Sequence, residues 1–340
     1  MKKEECENMQ LIKTDNLLSS LYRIQFPEKG KVILFADFDG TFMPFSHESI
    51  CTDRSKFPKE EFSRYFGLFS EFLKKNENKL EVIITTGRNL PKFMAFIEHI
   101  KRNDAYIPLS KKVIVNNGGD IYESNNPENF FACGYAEYSN YSQDAQKKRA
   151  EIKKLTGWDS TDIKNKIISV LNSFKFQVLE VPINEFSSTY EELSLSYYLD
   201  KYGLDHETSH FASIQDDGLL GFHIAFCKNM NNNENYLAKI CQEISNALGS
   251  SVSYSLQTTL YDWQAGYGPS IRLLPCIDGK SLNKLYDVKE CLKNVIENKT
   301  NDLVITAGDD ENDMAMLLPE NYADLNGETT PFLGIRVIKN

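Results

Sequence analysis

Four short, uninterrupted apolar runs, each breaking off at a polar turn, constrain this chain more than any other feature. Val32–Ala36 ends at Asp37-Phe38-Asp39-Gly40-Thr41, and Leu80–Ile84 ends at Thr85-Thr86-Gly87-Arg88. Val113–Val115 ends at Asn116-Asn117-Gly118-Gly119, and Leu303–Thr306 runs into Gly308-Asp309-Asp310. Runs this short and apolar throughout suit strands covered on both faces. Between the first two, Phe62, Tyr65, Phe66, Phe69, Phe72 and Leu73 recur at helical spacing. Residues 91–100 repeat that pattern after the second run, and Leu17–Ile24 reads as a leading helix. Strands alternating with helices imply an α/β fold built on a Rossmann-like parallel sheet.

The middle of the chain reads differently. Phe176–Val181, Leu193–Leu199, Phe222–Cys227 and Val252–Gln257 have strand character. A helix capped by Ser160 or Thr161 runs to Leu171, and another spans Glu234–Leu248 and stops at Gly249. These features predict an α+β domain inserted into the first. The expected division is a core of residues 1–122 and 271–340 with an insert of residues 123–270, the two linkers lying near Glu123 and Ser270.

Composition narrows the partners. A formal net charge of −10, with only scattered pairs such as Lys111-Lys112, gives no basic stripe for a phosphate backbone, so no nucleic-acid partner is expected. The N-terminus MKKEECENMQ lacks an apolar stretch behind it, and no apolar run reaches bilayer length, so neither a secretory signal nor a membrane partner is expected. Seven dispersed cysteines with no CxxC pair read as reduced thiols, and the expected location is cytoplasmic. No obligate protein partner is evident. The acidic balance does not exclude a small phosphorylated metabolite as partner, because a pocket for it needs only one or two local cations.

The chemistry concentrates where strands end. In an open parallel sheet the strand C-termini line the ligand crevice, and here those termini carry carboxylates. Asp37 and Asp39, one residue apart on an extended segment, point the same way. Two such charges side by side need a cation nearby, and magnesium is the usual hard cation beside phosphate. Asp309, Asp310 and Asp313 supply acidic groups from another strand end. A carboxylate can attack phosphorus to give an acyl phosphate, and a second acid can protonate the departing oxygen. Each piece alone has an ordinary explanation: a D-x-D-G is often a turn, a T-G-R a strand-to-helix turn, and a lysine before a helix a solvated residue. Their order, each at a strand end, is what makes them a set. Tyr197, Tyr198, His223 and Trp263 in the insert could face the leaving group, but core packing is the favoured reading for aromatics on alternating strands. His206 and His210 sit in a stretch that reads as loop, so no zinc site is assigned.

Asp37-Phe38-Asp39-Gly40-Thr41, Thr86 in Thr-Gly-Arg, Lys280 five residues after Pro275, and Gly308-Asp309-Asp310-Glu311-Asn312-Asp313 resemble the four motifs of the haloacid dehalogenase superfamily, over residues of about 30 to 320. The spacing of Lys280 is similar to that in the branch with a large α/β cap. Ser194–Asp200 and Trp158-Asp159 look like features of its sucrose-phosphate phosphatase group, whereas Asn117-Gly118-Gly119 is closer to the general Cof-type sugar phosphatases. The resemblance implies a HAD-like core with a cap, and hydrolysis of a sugar phosphate or similar phosphomonoester. It implies Asp37 as nucleophile, Asp39 as acid–base, and Thr86 and Lys280 completing the catalytic group. Thr86, Gly87, Asn117 and Lys280 would bind phosphate, while Asp37, Asp39, Asp309, Asn312 and Asp313 would hold Mg2+. A phosphosugar mutase, a phosphatase of another metabolite, and a non-catalytic binding module that kept the fold are the competing readings.

Overall fold

The computed structural model describes residues 9–45, 57–102, 105, 107–108, 110, 112–115, 120–123, 150–181, 195–205, 207–216, 221–230, 234–262, 268–296, 302–309, 313–322 and 331–338. The chain divides into two compact units. The first comprises Met1–Gly87, Ile97–Gln143 and Asn283–Asn340, and the second Arg88–Phe96 with Asp144–Leu282.

The first unit is built on a seven-stranded sheet. Its strands are β1 (Met9–Thr14), β2 (Val32–Asp37), β3 (Leu80–Thr85), β4 (Lys112–Val115), β5 (Asp120–Glu123), β12 (Leu303–Gly308) and β13 (Phe332–Val337). Their order is β1-β13-β12-β2-β3-β4-β5. All neighbours pair in parallel except β4 with β5. Every residue of β2 is buried, as its unbroken apolar run requires. From β2 the chain goes to β3 on one side, while β12 lies on the other. The order therefore reverses beside the C-terminal end of β2, where doubly wound sheets form their crevice.

Helices of this unit are α1 (Leu17–Arg23), α2 (Lys59–Lys75), α7 (Lys284–Ile296) and α8 (Met314–Leu317), and α3 (Leu90–Arg102) is shared between the units. Helix α2 buries Phe62, Phe66, Phe69, Phe72 and Leu73, the predicted stripe at three- and four-residue spacing. Glu60 and Glu61 in its first turn and Lys74 and Lys75 in its last complement the helix dipole. On the sheet's other cover, Val288 and Leu292 of α7 join Met316 and Leu317 of α8 against Phe35, Ile83, Ile114 and Val304.

The second unit has its own sheet, ordered β11-β10-β8-β7-β6, with β9 pairing along β10. The strands are β6 (Gln177–Val181), β7 (Phe211–Asp216), β8 (Phe222–Phe226), β9 (Tyr254–Asp262), β10 (Gly268–Ile277) and β11 (Lys280–Ser281). Ile163 and Ile167 of α4 (Ser160–Ser173) and Leu237, Ile240 and Ile244 of α6 (Glu234–Leu248) share a core with Ile214, Ile224 and Ile271 of the sheet.

Three expectations are corrected. Residues 195–202 form helix α5 (Leu195–Tyr202), where sequence predicts a strand over 193–199. The reason is visible in the packing: Tyr198 and Leu199 are both buried while Tyr197 and Asp200 are exposed, an amphipathic helix pattern rather than a strand's strict alternation. The cap of α4 is Asp159, whose carboxylate accepts from the Asp162 amide at 3.2 Å, and not Ser160 or Thr161. The boundary expected near Ser270 falls inside β10, a strand hydrogen-bonded on both sides to the second sheet, so the second unit runs on to Leu282. At the other end, the expected linker near Glu123 coincides with the last residue of β5, and residues 124–149 lie outside the described part. The chain beyond residue 320 supplies β13, and β1 lies beside it.

Candidate active site

Strand β2 delivers Asp37 to the sheet's reversal point. The Phe38 amide donates to the Thr85 carbonyl at 2.8 Å, carrying the pairing one residue past the strand. The chain then turns back on itself. Phe42 donates to the Asp37 carbonyl at 2.9 Å, and Gly40 donates to Met43 at 2.8 Å. Gly40 has φ 85°, a left-handed conformation that explains a glycine there. Phe38 and Phe42 are buried, 0 % and 1 % exposed, so the turn is anchored by aromatic packing. Asp37 is 4 % exposed and Asp39 is half-buried.

Strand β12, paired to β2, ends at Gly308 and delivers Asp309. Four residues on, Asp313 folds back, and its Oδ2 accepts from the Asp309 amide at 3.2 Å. A Cβ on residue 308 would lie 2.4 Å from the Asp313 Cβ, so only glycine admits this fold-back. The Thr41 hydroxyl, fully buried, donates to Asp309 Oδ1 at 3.2 Å and ties the β2 turn to the β12 turn. Ligand oxygens of Asp37, Asp309 and Asp313 all lie within 4.8 Å of one another.

One cation is built into this cluster. Lys284, the first residue of α7, donates its Nζ to Asp37 Oδ1 and, at 2.7 Å, to Asp313 Oδ1. Its side chain is 8 % exposed, so this is a buried charge held by two carboxylates. Burial pulls the ammonium's pKa down, but the charges of Asp37 and Asp313 and their hydrogen bonds outweigh it, and the net shift is upward. Lys284 stays charged. Asp37 moves well above the ordinary carboxylate range, first because it is buried and next because Asp313 is close. Lys284 opposes this, and Asp39 adds to it. Three carboxylates, two of them buried and Asp309 half-buried, thus face one ammonium. A divalent cation among these oxygen donors would offset the carboxylates' mutual repulsion and favour the ionised form of Asp37, so the donor set fits magnesium.

The lysine on Asp37 is thus Lys284, not Lys280 as the resemblance implies. Asp278 (φ 51°) and Gly279 (φ 75°) make a tight turn that returns the chain alongside β10. That turn puts Lys280 on β11, exposed and opposite Ile277 in the second sheet. Helix α7 begins only four residues later, and its first residue is the one that enters the carboxylate cluster. Thr86 is fully buried one residue beyond β3, with its amide donating to Ile114 at 2.8 Å. Because Asp37 pairs with Thr85, Thr86 and Gly87 share the sheet end that carries Asp37. Asn117, Asn312, His206 and Trp263 lie outside the described residues. In the second unit, Tyr198 packs on Val181, Tyr197 is exposed and His223 is buried.

No family model matches the chain, and no curated protein matches it in sequence. Among solved structures, it is similar to the sucrose-phosphatase of Synechocystis sp. PCC6803, solved with sucrose and phosphate. Identity there is 12 %, the TM-score is 0.42, and 85 % of this chain and 79 % of that one are covered. A HAD/COF-like hydrolase of Plasmodium vivax is 16 % identical at a TM-score of 0.42, with 90 % of each chain covered. The haloacid dehalogenase-like protein yhjK of Bacillus subtilis is 16 % identical at a TM-score of 0.38, covering 97 % of this chain and 86 % of that one.

Proposed function

We propose that this chain is a magnesium-dependent phosphohydrolase of the haloacid dehalogenase type, working through a phosphorylated Asp37. The observation that carries the reading is the cluster of Asp37, Asp309 and Asp313, its two buried members gripped by Lys284, at the reversal point of a parallel sheet. A scaffold has no use for a carboxylate in a place that so disfavours its charged form.

Each residue of this chain has a distinct task in the proposed reaction. Asp37 attacks phosphorus, forming an O–P bond as the ester oxygen departs with the bonding electrons. Asp39 gives that oxygen a proton, and later takes one from the water that hydrolyses the acyl phosphate. Lys284 holds the attacking oxygen in place and offsets the negative charge that gathers in the transition state. Thr86 donates to a phosphoryl oxygen. Asp309, fixed by the Thr41 hydroxyl, and Asp313, fixed by the Asp309 amide and by Lys284, would hold magnesium together with Asp37. Magnesium would supply the positive charge that lets an anionic nucleophile approach an anionic phosphate.

The substrate class is a small phosphomonoester, with a sugar phosphate first, since the motif set resembles that of sugar phosphatases. Phosphate release from p-nitrophenyl phosphate and from a panel of sugar phosphates tests the reading. Turnover that needs magnesium and disappears in Asp37→Asn is expected. Turnover in Asp37→Asn within tenfold of the parent would overturn it.

A further inference from the structure

We propose that the second unit contains a binding site for an oxyanion, a carboxylate or phosphate of a small metabolite, formed by Asn89 and Lys92 at the start of α3 and the polar face of the second sheet. The observations begin with an orphaned donor. Asn89 is 2 % exposed, and its Oδ1 accepts from the Lys92 amide at 2.8 Å, capping the helix. Its Nδ2 is buried and has no hydrogen-bond partner among the described residues. A buried amide N–H left unmade is costly, and native proteins rarely tolerate one without a ligand or water to take it. Because Oδ1 and Nδ2 share one carboxamide, fixing Oδ1 on the Lys92 amide fixes Nδ2 beside the same first turn. That turn opens a 13-residue helix whose dipole favours negative charge.

A cation stands on the same turn. Lys92 Nζ lies 3.4 Å from Gln215 Oε1, and Gln215 is 3 % exposed. Across the ladder Gln215 faces His223, and His223 faces Arg272. Directly opposed residues share a face, so these three form one row with Val181 before them and Gln257 after. The next row, Ile214, Ile224 and Ile271, points the other way into the core. One face of this sheet is therefore ordinary apolar core. The row on its other face carries Arg272, the polar side chains of Gln215 and His223 and the Lys92 contact, and none of its five positions is acidic. The Asn89 donor and the Lys92 cation from the helix, with Arg272 from the sheet, call for a ligand with anionic oxygens.

The oxyanion can be a second acidic group of the substrate or a free metabolite, and binding separates the two. Isothermal titration uses the full chain with magnesium, carrying Asp37→Asn so that no turnover interferes. The probes are fructose 6-phosphate, fructose 1,6-bisphosphate and inorganic phosphate. Asn89→Asp keeps the oxygen that caps α3 but replaces the donor with a negative charge, so a purely structural Asn89 would tolerate it. Lys92→Met removes the cation. If the site takes a second group of the substrate, both changes weaken the bisphosphate at least tenfold and the monophosphate less than threefold. If it takes a free oxyanion, inorganic phosphate binds at two sites in the parent and at one in either variant. Affinities and stoichiometries within twofold of the parent for all three probes, in two variants that keep the parent's circular dichroism, would overturn the proposal. These readouts do not depend on hydrolysis, so an inactive enzyme with an intact oxyanion site, or the reverse, is recognisable.

Discussion

Removing the Lys284 ammonium should expose how the acidic cluster is held together. Lys284→Met keeps the length and most of the volume of the side chain but leaves Asp37 and Asp313, 4 % and 1 % exposed, without the cation they share. Deleting one partner of a buried ion pair typically costs about 3–5 kcal/mol, because an uncompensated charge stays behind. With an m-value of about 3 kcal/mol/M, that lowers the urea midpoint of the first unit by roughly 1–1.7 M. Excess magnesium should recover part of the loss, since it returns positive charge to the same carboxylates. Lys280→Met serves as the comparison. Lys280 is exposed on β11, so its loss should stay within about 0.5 kcal/mol. The assay is urea unfolding followed by circular dichroism, with and without magnesium, alongside phosphatase turnover. A Lys284→Met protein as stable as the parent, or a Lys280→Met protein that is the more damaged of the two, would refute the assignment of the buried lysine.

Chelation should abolish turnover, magnesium should restore it, and calcium should restore it poorly because its looser shell misplaces nucleophile and phosphate; metal-exchange kinetics check this. Gly308→Ala should lower the thermal midpoint and weaken magnesium activation, since its Cβ would sit 2.4 Å from the Asp313 Cβ and drive that carboxylate from the cluster. Gly157→Ala should destabilise the second unit by about 2 kcal/mol or more, measured by urea unfolding. Its φ of 68° disfavours a side chain, and the new Cβ would meet the Ser251 carbonyl oxygen at 2.2 Å.

What sequence makes legible here is whatever a short window determines. Strands β2, β3 and β12 are buried on both faces, so their apolar runs identify them without help. Asp37 and Asp309 are placed by those strands, because a strand's end fixes the position of the next residue. Strands β1 and β13 escape because MQLIKT and FLGIRV interleave polar residues and acquire their meaning only by pairing with each other. Helix α5 escapes because SLSYYLD satisfies strand alternation and helical spacing about equally, and burial on Val181 decides. Lys284 is the instructive failure. The resemblance, through its spacing from Pro275, points to Lys280, but that spacing counts residues without the tight turn at Asp278-Gly279, which diverts Lys280 back along β10. The one available signal is that Lys284 opens a helical period whose apolar members Val288 and Leu292 must face the sheet. A lysine at the head of that face then reaches the sheet's end.

The same geometry explains why acidity and foldability do not conflict in this unit. Asp37, Asp309 and Asp313 come from two strand ends, those of β2 and β12, and neither turn is stable with like charges converging unless something opposes them. Two devices of the chain do so before any metal arrives: the Lys284 ammonium, and neutral donors, namely the Thr41 hydroxyl on Asp309 and the Asp309 amide on Asp313. These fix carboxylate oxygens without cancelling the cluster's negative charge. The cluster is thus tolerable when empty and still electron-rich enough to attract a divalent cation. Replacing Thr41 by valine should therefore separate the two effects. Packing volume is kept, one hydrogen bond is lost, and Asp309 gains freedom, so stability should fall by only about 1 kcal/mol. The magnesium concentration for half-maximal activity should rise several-fold, with turnover at saturating magnesium little changed. Loss of activity that saturating magnesium cannot restore would instead mean that the Thr41 hydroxyl acts on the phosphoryl group itself.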